Sequence, residues 1–108
     1  MSDCIMQVYE TIISRKEEAA ENSYTAYLFK QGIDKILKKV GEEASEVIIA
    51  AKNGQKEDTV GELCDLTYHL LVLMAQQEIT PQDLQTVLEQ RHTKAGNLKQ
   101  MKTVDKNT

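Results

Sequence analysis

Two short segments place acids at a spacing that chemistry can use. Gly41-Glu42-Glu43-Ala44-Ser45-Glu46 and Gly61-Glu62-Leu63-Cys64-Asp65 each contain an acid, two spacers and an acid, and carboxylates three residues apart share one face of a helix. Whether that face is wet or dry decides what they are for. Measured from Glu43, a helical wheel puts Ile36 at about +20°, Val47 at about +40°, Ala50 at about −20° and Glu46 at about −60°. Measured from Glu62, it puts Leu73 at about +20°, Leu66 at about +40°, His69 at about −20° and Asp65 at about −60°. Glu43 and Glu62 therefore sit in the middle of apolar faces, in the same arrangement. Glu42 falls at about −100°, at the margin, where it faces solvent or serves as an outer or second-metal ligand.

An ionised carboxylate on a dry face is costly, and four on converging faces also repel one another. A cation must join them. Apart from His69, no histidine or cysteine set lies nearby, so the expected ion is one that prefers oxygen ligands: Mg²⁺, with Mn²⁺ as a substitute. A single Glu-x-x-Glu is ordinarily a solvated helix face; two copies on consecutive helices, each centred on an apolar stripe, make a metal site. That pattern identifies a site and not a reaction.

The elements that must position these acids follow from hydrophobic spacing. Ile5, Val8, Tyr9, Ile12 and Ile13 mark a first helix, which the charged run Arg15 to Glu21 extends to near Asn22. Ser23 to Phe29 reads as a turn or short helical segment, broken at Gly32. A long helix then runs from near Asp34 to a stop at Asn53-Gly54, and another from the acidic first turn Glu57-Asp58 to about Gln77. Its segment Leu70 to Ala75 is apolar on every side and must be covered within the bundle or at a subunit interface. Thr80-Pro81-Gln82-Asp83 opens a last main helix with a cap, a proline and an acid in the places that favour initiation. Gly41 and Gly61 weaken their helices, for which close backbone approach is the expected reason, and the methionines and Cys64 are assigned to packing. No strand is expected, so the fold class is all-α.

The chain has 108 residues, enough for one domain with a real core, placed at 1–95 with a loose polar tail at 96–108. Thirteen Lys and Arg against seventeen Asp and Glu give a net charge of −4, and Trp is absent. That balance argues against nucleic acid as the main partner. No leader-like start and no apolar run of about 18 residues is present, so a cytoplasmic protein is expected, with no membrane partner. Cys4 and Cys64 match no metal or redox spacing, which suits a reducing compartment.

Ser23-Tyr24-Thr25-Ala26, Lys38-Lys39-Val40-Gly41-Glu42-Glu43-Ala44-Ser45-Glu46-Val47, and Glu62 through Asp65-Leu66-Thr67-Tyr68-His69-Leu70-Leu71-Val72-Leu73 resemble the phosphoribosyl-ATP pyrophosphohydrolases of histidine biosynthesis. The resemblance runs from about Ile5 to Arg91. This family sits in the all-α nucleoside triphosphate pyrophosphohydrolase superfamily with MazG-like enzymes. It implies a bundle of four main helices completed by dimerisation or higher association, and a Mg²⁺-dependent cleavage of the α–β phosphoanhydride of phosphoribosyl-ATP to phosphoribosyl-AMP and pyrophosphate. By motif, Glu43, Glu46, Glu62 and Asp65 would be catalytic and hold the metal, with Glu42 as a further candidate. Lys38 or Lys39 would reach a substrate phosphate, and Tyr24 and Ser23 would contact substrate, although Ser23 equally suits a helix cap. His69, alone on its face, is expected to be a hydrogen-bonded core residue more than a catalyst. Relatives often carry a cyclohydrolase domain ahead of this one, and this chain is expected to be the standalone form. Two other readings stay open: a housekeeping pyrophosphohydrolase of nucleoside triphosphates on the same fold, and a non-catalytic metal-binding helical module.

Overall fold

The computed structural model describes residues 3–94, which form five α-helices and one short 3-10 turn, with no strand among the described residues. Helix α1, Asp3–Ser14, turns Tyr9 and Ile12 into the core, three residues apart on one face. It stops well before the expected end near Asn22. From Arg15 the chain tightens into turns, with Arg15 N–H bonded to the Ile12 carbonyl and Lys16 N–H to that of Ile13, and then forms the 3-10 turn Ala20–Asn22. The physical reason is the missing apolar stripe: a helical continuation would have nothing to bury, and the charges find other partners. Arg15 pairs with Glu18 at 2.6 Å. Lys16 reaches across to the Ala75 carbonyl at 3.1 Å and over the Phe29 ring, placing a cation at a helix C-terminus.

Helix α2, Tyr24–Gln31, is the short helical segment expected there, and it brings the described residues to five α-helices where four main ones were expected. Ser23 caps it, its Oγ accepting from Ala26 N–H at 3.0 Å. It buries Ala26 and Leu28 and ends at Gly32, whose φ of 91° suits a residue without a Cβ.

Helices α3, Ile33–Lys52, and α4, Lys56–Gln76, form the hairpin that carries the acids and make the most extensive helix–helix contact in the molecule. The stop at Asn53-Gly54 is where the sequence placed it, with Gly54 in the left-handed region at φ 73°. Glu57 and Asp58 occupy the first turn of α4. The core gathers Tyr9, Ile12, Leu28, Ile36, Leu71, Val72, Met74 and Ala75. The apolar stretch of α4 is thus covered from inside, except that Leu70 remains exposed.

Helix α5, Pro81–Thr93, begins with the expected capping box: Thr80 Oγ1 accepts from Asp83 N–H and the Asp83 carboxylate accepts from Thr80 N–H. The Tyr9 hydroxyl ties α1 to the approach to α5 by donating to the Ile79 carbonyl at 2.8 Å. Helix α5 buries Pro81 but leaves Leu84, Val87 and Leu88 exposed.

Two expectations fail here. A Cβ built on Gly41 or Gly61 meets nothing within 4 Å, so no neighbour among the described residues requires glycine at either place. Gly41→Ala and Gly61→Ala are each expected to stabilise the protein by about 0.5–1 kcal/mol, through helix propensity alone. Thermal denaturation checks this, and a fall in melting temperature for either variant would contradict the open space seen around it. Cys64 is not a packing residue: both it and Cys4 are free and exposed, and Met6 is exposed while Met74 lies in the core. The expected tail, 96–108, lies outside the described residues.

Candidate metal centre and its aromatic flank

The hairpin brings the two acid motifs together because they lie at equal distances from its turn. Glu46 and Glu62 each stand eight residues from Gly54, and Glu43 and Asp65 each stand eleven. In an antiparallel pair joined by a short turn, equal distance from the turn means equal height. Glu43, Glu62 and Asp65 each offer an oxygen within 4.8 Å of the others. Glu43 is buried, at 8 % exposure, as its place in the apolar stripe requires; Glu62 is half-buried and Asp65 exposed. Glu46, also exposed, acts on the carboxyls of both Glu43 and Glu62.

This crowding holds protons. Burial pushes the Glu43 carboxyl above the usual range, and sharing a proton with Glu46 and repulsion from that group add to it. The Glu62 carboxyl is also raised, first by the shared proton with Glu46 and then by burial and by repulsion from Glu46, Asp65 and Glu43. One oxygen of each, Glu43 Oε2 and Glu62 Oε2, is buried with no hydrogen-bond partner among the described residues. Two orphaned carboxylate oxygens beside a third acid are the donor set that a hard divalent cation takes.

The remaining candidates separate. Lys39 stands over the acids, its Nζ 3.3 Å from Glu42 and 3.7 Å from Glu43, and the bond to Glu42 holds its ammonium charged above the ordinary lysine range. Glu42 is therefore the exposed partner of Lys39 and lies outside the acid trio. Lys38 is exposed and does not share this arrangement. The Ser23 oxygen is engaged in its cap.

Beside the acids lies an aromatic group built from α2 and α4. Tyr24 stacks between Tyr27 and Tyr68, with centroids 6.1 and 6.2 Å away. His69 is buried, as expected of a hydrogen-bonded core histidine, with Nδ1 2.8 Å from the Asp65 carbonyl and Nε2 3.1 Å from the Tyr24 hydroxyl. The Tyr68 hydroxyl bonds to Thr25 Oγ1. Thr25 and Tyr68 were not among the sequence candidates; a cross-helix hydroxyl pair leaves no periodic trace.

The sequence profile of the phosphoribosyl-ATP pyrophosphohydrolase family matches residues 5–92, a span that contains both acid motifs, Lys39 and the aromatic group. The chain belongs to this family. Among its relatives is a phosphoribosyl-ATP pyrophosphatase of Clostridium novyi, 54 % identical over 97 residues that make up 90 % of this chain and 88 % of the other. One from Pelotomaculum thermopropionicum is 54 % identical over 92 residues, covering 85 % and 94 % of the two chains. The histidine biosynthesis bifunctional protein HisIE of Lactococcus lactis is 51 % identical over 102 residues, which are 94 % of this chain but 48 % of that longer protein. Family membership makes the chain an enzyme, a hydrolase, and supports a place in histidine biosynthesis.

Proposed function

We propose that the chain hydrolyses the α–β phosphoanhydride of phosphoribosyl-ATP, giving phosphoribosyl-AMP and pyrophosphate, with a divalent cation, Mg²⁺ or Mn²⁺, held by Glu43, Glu62 and Asp65. The observation that carries this reading is the pair of orphaned oxygens on Glu43 and Glu62, in a chain whose relatives carry the name of this activity. When bound, such an ion neutralises triphosphate charge and makes a coordinated water more acidic. The protein's own groups do the rest. The acid trio sets where the phosphates lie. Lys39, already poised between Glu42 and Glu43, turns its ammonium to a phosphate oxygen, a role that Lys38 is too far round the helix to share. Glu46, exposed and bordering two acids of the trio, is the carboxylate left to accept the proton of the attacking water.

The same reading includes self-association, in the cytoplasm, of a domain ending near residue 95. Ile48 and Ile49 on α3 are 68 % and 60 % exposed, Val60 and Leu63 on α4 are also exposed, and an apolar groove of about 420 Å³ runs between α1 and α4. So much open apolar surface on a chain this small supports a dimer. Light scattering is expected to give at least twice the 12.2 kDa of one chain; a stable monomer at micromolar concentration would contradict it.

The reaction is tested by incubating the purified protein and Mg²⁺ with phosphoribosyl-ATP and, separately, with common nucleoside triphosphates. Pyrophosphate release is expected from phosphoribosyl-ATP in clear preference. Equal or greater release from the ordinary triphosphates would replace this reading with a housekeeping pyrophosphohydrolase, and no release from any would overturn both.

A further inference from the structure

Tyr24 and His69 carry chemistry that phosphate binding does not use. His69 Nδ1 lies 2.8 Å from the Asp65 carbonyl oxygen, an atom that only accepts, so Nδ1 carries the ring proton. In the neutral imidazole Nε2 is then a lone-pair acceptor, and the Tyr24 hydroxyl, 3.1 Å away, is the donor. The ring has little freedom to turn over. It is 5 % exposed and packed edge-on against Tyr24 and Tyr68, and Tyr68 is itself tied to Thr25.

The hydroxyl proton of Tyr24 therefore points inward, and its remaining lone pair points away from His69. Tyr24 is 46 % exposed, so its side chain is within reach of a ligand. The hydroxyl is linked to the acid cluster through His69, whose Nδ1 meets the Asp65 carbonyl, and Lys39 and Glu43 both act on it electrostatically. An oxygen committed in this way accepts but does not donate. It turns away a phosphate oxygen, which also presents lone pairs, and it binds an O–H group.

We propose that Tyr24 is the acceptor subsite for a sugar hydroxyl of the nucleotide substrate, and that His69 is a positioning residue that sets the direction of the Tyr24 hydroxyl. This inference rests on the nucleotide reading of the acid site. It divides recognition in two: phosphates to Lys39 and the acid trio, sugar to Tyr24.

Tyr24→Phe keeps the ring and removes the acceptor. It is expected to raise KM for phosphoribosyl-ATP about tenfold, the effect of leaving one donor unpaired, while kcat changes less than about threefold. Inhibition by inorganic pyrophosphate, which has no sugar, is expected to be unaltered, and inhibition by phosphoribosyl-AMP to weaken with the substrate. An unchanged KM, or pyrophosphate weakening in parallel, would overturn the assignment. At position 69, His69→Gln offers an amide oxygen to Tyr24 and is expected to recover much of the affinity that His69→Leu loses, and Tyr24→Phe combined with His69→Leu to be no worse than the weaker single variant. Equal loss in the Gln and Leu variants, or additive loss in the double variant, would remove His69 from the role. Should circular dichroism show His69→Leu unfolded, His69→Asn, too short to reach Tyr24, takes its place with the same expectations. Absence of pyrophosphate release by the wild-type protein overturns the functional reading and this inference together; an active wild type with an unaffected Tyr24→Phe overturns the inference alone.

Discussion

Glu43→Gln is expected to lower turnover of phosphoribosyl-ATP by about 10³-fold or more and, at the same time, to raise the melting temperature of the metal-free protein. The two effects come from one fact: Glu43 is a buried carboxylate with an oxygen that no group among the described residues satisfies. As a ligand it fixes a cation against the phosphates, and its loss removes transition-state stabilisation of several kcal/mol, which is three or more factors of ten in rate. In the metal-free fold the same group is a burden, desolvated and repelled by Glu46. A neutral amide of the same shape relieves that cost, and a gain of about 1 kcal/mol corresponds to roughly 4–8 °C for a domain of this size. A merely structural glutamate would show the opposite pairing, lost stability with activity in proportion. Asp65→Asn gives the contrast: Asp65 is exposed, so its variant is expected to lose comparable turnover with almost no change in melting temperature. Retention of more than a tenth of wild-type activity in either variant would remove that residue from the metal site.

The second expectation is that Mg²⁺ stabilises the protein strongly at pH 7.5 and hardly at all near pH 4.5. Glu43 and Glu62 both hold protons more tightly in the folded protein than the ordinary carboxylate value of 4.5. A raised folded-state value means that the folded chain binds more protons than the unfolded chain as pH rises through this window, so stability falls with increasing pH. Below the ordinary value both states are protonated and the penalty is absent; above the raised values it is complete. The metal-free protein is therefore expected to lose stability from these two groups as pH climbs from about 4.5. A cation competes with those protons and relieves the repulsion that raised their affinity, so its effect grows over the same window. At a hundredfold excess over its dissociation constant it adds about 2.7 kcal/mol, or about 10–20 °C. Differential scanning fluorimetry with and without Mg²⁺ across pH measures this directly. A Mg²⁺ effect independent of pH, or one that survives intact in Glu43→Gln, would place the ion elsewhere.

Much of this architecture was legible from local rules. Gly32, Asn53-Gly54 and Thr80 to Asp83 end or begin helices through backbone geometry and capping, which act within a turn of the chain. The wheel placed Glu43 on an apolar stripe, and it is buried. Where local rules misled, a distant partner was missing from them. Arg15 to Glu21 has helix-forming residues but no surface to pack, and Lys16 is drawn instead to Ala75 and Phe29. Gly41 and Gly61 suggested a close neighbour that the described residues do not supply. The wheel set Glu42 at the margin and Glu46 on the face of Glu43, and what it could not name was the partner of each: Glu42 pairs with Lys39, and Glu46 acts on Glu62. One signal was present and unused: the acids of the two motifs are symmetric about Gly54, which in a hairpin already brings Glu46 to Glu62 and Glu43 to Asp65.

By itself, then, the sequence determined the helical class, the hairpin limits, the family and the spacing that sets acids on facing helices, because periodicity, caps and motif spacing are properties of neighbouring residues. Only the tertiary structure decided how those acids differ. Burial depends on what the other helices cover, so it alone could make Glu43 dry, leave Asp65 wet, set Lys39 over the cluster, and join the Tyr24 hydroxyl to His69.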